Sequence, residues 1–195
     1  MSWINLFSCT FTLFAVIDII GALPLILNIK QSANISSSKS SFFSAFIMLL
    51  FLFFGSYIFE AFGIQAAHFA VAGSLLILFF GVKMMFGLHF DYESNKTSDP
   101  NSSLFPVAFP LIAGPGTLST IMSFKSQYNN TEIISSIIIN GFIIFLIIKS
   151  SDWIGKKLGG SGITIVERIF GVFLLSIGIK MFITNLLTII EIASK

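Results

Sequence analysis

The sequence predicts an all-α integral membrane protein: six transmembrane helices in an inverted three-plus-three repeat, with the first and fourth helices discontinuous. Three observations lead there. Of the 195 residues, 55% are hydrophobic and only 10% charged, whereas a soluble domain carries about 25% charged residues to cover its surface. Six apolar stretches, each near the roughly 20 residues a bilayer requires, alternate with polar ones. Prolines and glycines concentrate in two of the six, at corresponding places in the two halves of the chain.

The first crossing runs from about Trp3 to Leu27 and is interrupted late by Asp18, Gly21 and Pro24. Its start lacks the positive flank and the small-residue cleavage site of a signal peptide, so it reads as a retained helix. A polar loop containing Lys30 and Lys39 leads to the second crossing, about Phe42 to Phe59. A short turn near Glu60 to Gln65 precedes the third, about Ala66 to Phe86. The polar stretch His89 to Ser103 reads as an exposed linker. The fourth crossing, about Leu104 to Phe124, holds Pro106, Pro110, Gly114, Pro115 and Gly116. The fifth is about Ile133 to Ile148, and a loop rich in glycine and lysine joins it to the sixth, about Ile165 to Leu187. Counted over the loops and adjoining helix ends, eight of the 11 basic residues fall on one side if both termini lie outside, which is the orientation the positive-inside rule selects.

The halves, 1–98 and 99–195 of a single membrane domain, have similar layouts. Each closes with a glycine, an aliphatic residue, Lys and Met: Gly81 to Met84 and Gly178 to Met181. Three crossings per half oblige the second half to enter from the opposite side. The result is an inverted repeat whose two broken helices meet near the midplane, where secondary transporters place their substrate sites.

The chemistry sits in those breaks. A proline inside a helix frees the carbonyl four residues back, and glycine makes the unwound turn cheap. Bare backbone is tolerated at membrane depth where it is buried in protein or lines a cavity. Asp18, Gly21 and Pro24 recur every three residues and share a helix face. A carboxylate at bilayer centre costs at least about 2.5 kcal/mol unless it faces a cavity or partner. Asp18 is therefore assigned first to a cation, a proton or a substrate amine, a role compatible with capping a half-helix that starts near Gly21. Around Gly114-Pro115-Gly116 the chain restarts as a half-helix, whose first N–H groups suit a carboxylate. Thr117, Ser119 and Thr120 add hydroxyls. The candidate substrate-binding set is Asp18, Gly21, Pro24, Pro110, Gly114, Pro115, Gly116, Thr117, Ser119 and Thr120.

Other classes find little support. The single Cys9 excludes an internal disulfide, and no zinc, nucleophile-elbow or phosphate-loop motif is present. Neither an enzyme nor a cofactor is expected, although a coupling proton or Na⁺ fits the breaks. A net charge of +2 gives no reason to invoke nucleic acid. The expected partners are the lipid bilayer and a small zwitterionic solute; the oligomeric state is not fixed. His68 and His89 are expected to be structural, Asn140 to hydrogen-bond between helices, and Gly55, Gly73 and Gly171 to permit close packing.

In motif order the chain resembles the MarC family of bacterial and archaeal inner-membrane proteins. Asp18-Ile-Ile-Gly21-Ala-Leu-Pro24 is similar to that family's first-helix motif, usually Asp-Pro-x-Gly-Asn-x-Pro. Phe62-Gly63-Ile64 with Val71-Ala72-Gly73 resembles its third-helix signature. Pro106 to Thr117 is similar to its most specific motif, and Arg168-Ile-Phe-Gly171 to the start of its last helix. Ile19 and Ala22 depart from the proline and asparagine the family often has. The resemblance implies six helices in an inverted repeat. Some relatives are described as transporters of small neutral amino acids, held by the two discontinuous helices. The expected function is a secondary transporter or exporter of such solutes in the bacterial inner membrane; a channel and a non-transporting membrane protein are the alternatives.

Overall fold

A computed structural model describes residues 2–32, 35–88 and 103–194. His89, nearly all of the polar linker and the Asp99-Pro100 division between the halves lie outside them. The described residues form helices and no strand: α1 Trp3–Ile17, α2 Ile19–Ser32, α3 Ser37–Ala61, α4 Ala66–Phe86, a π-helix Ser103–Ile112, α5 Pro115–Phe124 and α6 Asn130–Ala193. Within α6, Gly159 alone leaves helical geometry, with φ 66° and ψ 173°. It divides α6 into two arms, Asn130–Gly159 and Ser161–Ile192.

Among the described residues five helical stretches are long and apolar enough to cross a bilayer: Trp3–Leu27, α3, α4 and the two arms of α6. The expected fourth crossing is discontinuous as expected, in two pieces of 10 residues each, the π-helix and α5. Neither alone reaches the required length. Two expected loops are largely helical. The polar stretch after the first crossing is helix up to Ser32 and again from Ser37. Ser36 caps the second piece by accepting from Lys39 N–H at 3.4 Å. The glycine- and lysine-bearing connection before the last crossing is helix except at Gly159. It contains no proline, and Lys30 braces it by donating to Ile148 O at 3.1 Å, Ser151 Oγ at 2.9 Å and Asp152 Oδ1 at 3.0 Å.

These contacts fix how the helices run. Glu132, buried at the start of α6, accepts from Ser2 N–H at 2.8 Å and from Asn129 N–H at 3.1 Å. That bond joins the beginnings of α1 and α6, and Lys30 joins α2 to the far part of the first arm. The α1–α2 pair and the first arm are therefore parallel. Ser41 Oγ donates to Gly141 O, which seats α3 on the same arm. The other side of α3 packs on the π-helix and α5, while α4 packs on α5 and α6. His68 has a structural role as expected: its Nδ1 accepts from Gln65 N–H at 3.0 Å and closes the N-terminus of α4.

Candidate functional site

The first break is one residue wide. Asp18 ends α1 in the left-handed region at φ 47° and ψ 46°, a conformation Asp and Asn accept more readily than most residues. Its N–H donates to Phe14 O at 3.1 Å, and its carbonyl accepts from Ala22 N–H at 2.9 Å. Its carboxylate accepts from Gly21 N–H at 3.2 Å. Asp18 thus closes α1 and caps α2, which starts at Ile19 rather than near Gly21. A methyl on Gly21 would overlap that carboxylate. Pro24 does not break the chain: it is buried inside α2, past the first turn.

The second break is built differently. The π-helix carries Pro110, which follows a cis peptide bond. Wide π turns are rare and recur at functional sites. Ala113 N–H donates back five residues to Ala108 O at 2.9 Å. Gly114 is extended at φ −78° and ψ 172° and precedes α5, with Pro115 as its first residue. A side chain on Gly114 would meet the carbonyl of Pro110. Leu118 N–H returns to Gly114 O at 2.9 Å, so the N–H groups of Gly116 and Thr117 have no partner within the helix. The three hydroxyls donate to backbone: Thr117 to Ile112 O at 2.9 Å, Ser119 to Gly116 O at 3.0 Å and Thr120 to Gly116 O at 2.8 Å.

The two breaks face one cavity of about 60 Å³. Val16, Ile17 and Asp18 line it from the first break, Ala22 from α2, and Pro110 and Leu111 from the second. Gly73, Leu76, Ile77 and Phe80 of α4 close one side, with Leu174 and Ile177 of the second arm. Of the ten expected binding residues, Asp18 and Pro110 line the space. Gly21 stands behind Asp18. Pro115 packs on the lining residue Gly73, so tightly that a methyl there would enter the proline ring. A methyl on Gly116 would lie 3.9 Å from Val16 Cγ1 and 3.3 Å from Met181 Cε. Pro24, Gly114, Thr117, Ser119 and Thr120 are not among the lining residues.

Asp18 is the one charged group in that lining. It stands 15 residues beyond Trp3, about 22 Å along the helical path at 1.5 Å per residue, inside the apolar stretch Trp3–Leu27 that is long enough to cross a bilayer. An aliphatic and aromatic chamber with a single carboxylate suits a small solute that brings a positive group or a proton. The α4 and second-arm residues were not foreseen in this role. Gly73 is the exception in part, since a glycine in a helix rich in Phe and Leu signals a close approach. Among the described residues no three His, Cys, Asp or Glu side chains come together as a metal cluster.

Between α1 and the first arm lies a separate polar contact. Asn140, fully buried, donates from Nδ2 to Thr10 O at 3.2 Å and to Ser136 O at 2.9 Å, which makes it the interhelical residue expected. Cys9 Sγ donates to Ser136 Oγ at 3.2 Å. Thr10 Oγ1 and Asn140 Oδ1 are buried and have no hydrogen-bond partner among the described residues.

Helices this apolar, with two broken ones meeting at an internal cavity, define a multi-pass integral membrane protein. The sequence profile of the MarC family integral membrane proteins matches residues 3–190, and the chain belongs to that family. A UPF0056 membrane protein of Buchnera aphidicola subsp. Baizongia pistaciae is 30% identical over 192 residues, covering 90% of this chain and 89% of the relative. A UPF0056 membrane protein of Pyrococcus abyssi is 30% identical over 184 residues, covering 89% and 90%. One from Buchnera aphidicola subsp. Schizaphis graminum is 33% identical over 182 residues, covering 87% and 85%. Those names state a membrane location and no activity. No solved structure matches the chain.

Proposed function

We propose that this chain is a secondary transporter or exporter of small neutral amino acids or similar small solutes, working by alternating access in the bacterial inner membrane with both termini outside. The observation that carries this reading is that the two broken helices, far apart in sequence, open onto one cavity.

Helix pairing supports an inverted repeat behind it. The first crossing packs on the fifth and the fourth on the second, while the third and sixth pack on each other. Exchanging the halves maps this set onto itself. The contacts repeat as well. A methyl on Gly81 would lie 2.9 Å from Leu175 Cγ, and one on Gly178 would lie 2.9 Å from Leu78 Cγ. Residue 178 stands 97 after 81, and 175 stands 97 after 78. The α4 crossing with the second arm is thus the natural axis for rocking one half against the other.

The halves differ where chemistry is needed. Asp18 immediately precedes α2 and supplies that helix with its own anion. Gly114 holds the matching place before α5 and has no side chain to supply one. A zwitterion suits both: its ammonium group meets Asp18 in the cavity, and its carboxylate meets the N–H groups of Gly116 and Thr117, which stand outside the cavity lining here and come within its reach only as the halves rock. A coupling proton or Na⁺ would use the same carboxylate. Counterflow of labelled glycine or alanine in proteoliposomes tests the proposal. Saturable exchange against a gradient is expected, which also separates a carrier from a channel. No uptake above empty vesicles for any small solute would end it.

A further inference from the structure

We infer that Lys149, Trp153, Lys156 and Lys157, on the first arm of α6, form a docking surface for the phosphate of an acidic phospholipid. The arm has 30 residues, about 45 Å of helix, against a hydrocarbon layer of about 30 Å. Its beginning is tied by Glu132 to Ser2, where α1 also begins. The excess length therefore projects at the Gly159 end. Charge marks the same boundary: after Glu132 no charged residue occurs until Lys149.

The four residues stand at i, i+4, i+7 and i+8, which places them on one helix face, and all are exposed. Toward the bilayer centre the same face continues as Leu146 and Phe142, also exposed. Lys157 Nζ sits 4.1 Å from the centroid of the Trp153 ring, so its ammonium group is held over the indole. Trp153 is 61% exposed, at the depth where amphipathic aromatic rings collect. Within the arm itself the one carboxylate beyond Glu132 is Asp152, and it is already paired with Lys30 at 3.0 Å. The stripe offers three positive charges at headgroup level above an apolar track for an acyl chain. That pattern fits an anionic diester better than a zwitterionic headgroup, whose own cation opposes the lysines.

Trp153 can report its own neighbour. Trp3→Phe leaves it as the only tryptophan in the full chain. The protein is reconstituted in phosphatidylcholine vesicles containing brominated phosphatidylglycerol or, at equal mole fraction, brominated phosphatidylcholine, and quenching is compared. Brominated phosphatidylglycerol should quench more. Its relative binding constant should fall by up to about fivefold for each lysine removed, and should also fall with added salt. Lys149→Gln, Lys156→Gln and Lys157→Gln combined should bring the two lipids to parity. Lys125→Gln, at the other end of the bundle, should leave the preference intact. Equal quenching in the Trp3→Phe protein overturns the inference, as does a preference that survives the triple substitution or is lost with Lys125.

Discussion

Replacing Asp18 separates its charge from its geometry. Asn caps helices as well as Asp does and tolerates the left-handed backbone at φ 47°. It removes only the negative charge, whose burial at bilayer centre costs about 2.5 kcal/mol, an upper bound for a carboxylate that lines a cavity. Asp18→Asn should therefore melt no lower than the parent, and higher by up to about that amount. Asp18→Ala loses the charge as well, but also loses the cap to Gly21, about 1 kcal/mol, and strains an alanine in the left-handed region, about 1–2 kcal/mol. The Asn and Ala variants should differ by roughly 2–3 kcal/mol, the local geometry with charge cancelled. Melting of the purified protein, with and without glycine, alanine and related solutes, reads both effects, since a ligand stabilises the state it binds. Both variants should lose the ligand-dependent shift. An Asn variant that melts well below the parent yet keeps its ligand shift would show that the carboxylate serves α2 and not a solute.

Three other substitutions probe the frame. In Gly171→Leu the new Cβ would lie 2.6 Å from Met85 N and 3.0 Å from Gly81 O; backbone cannot rotate away, so a loss of about 1–3 kcal/mol or more is expected, and parent-like melting would contradict the helix crossing. Thr117→Val strips Ile112 O of its 2.9 Å donor and should cost about 1–3 kcal/mol, with Thr117→Ser recovering most of it in the same melt. Thr10→Val removes a buried hydroxyl that has no partner among the described residues; it should raise the stability by about 1 kcal/mol, seen as a higher melting midpoint, and a drop would mean the hydroxyl is satisfied.

Much of this was legible in the sequence because glycine and proline act locally. The runs around Asp18 and Gly114 announced two breaks, and both exist. The position of a break is a finer matter. Pro24 was grouped with the first break, yet α2 runs through it because Asp18 has already absorbed the turn. The connection between the last two crossings read as a loop for its glycines, but only Gly159 takes a positive φ there. Lys30, distant in sequence, braces the rest, and no local pattern shows that. The cavity wall was hidden for the same reason. Leu76, Phe80, Leu174 and Ile177 look like any lipid-facing residues until packing turns them toward Asp18. The hydroxyls of Thr117, Ser119 and Thr120 were visible, but not that each donates to its own backbone.

Whether the cavity between the breaks receives a solute from water can be measured at one wall position. Ala22 lines it and is 2% exposed. An Ala22→Cys protein, with Cys9→Ser to remove the native thiol, is treated in proteoliposomes with a small water-soluble thiol reagent. The account predicts that Cys at position 22 reacts, that saturating glycine or alanine slows the reaction, and that adding Asp18→Asn abolishes this protection. A correctly inserted protein in which that thiol stays unreactive, or reacts at a rate no solute changes, would contradict it.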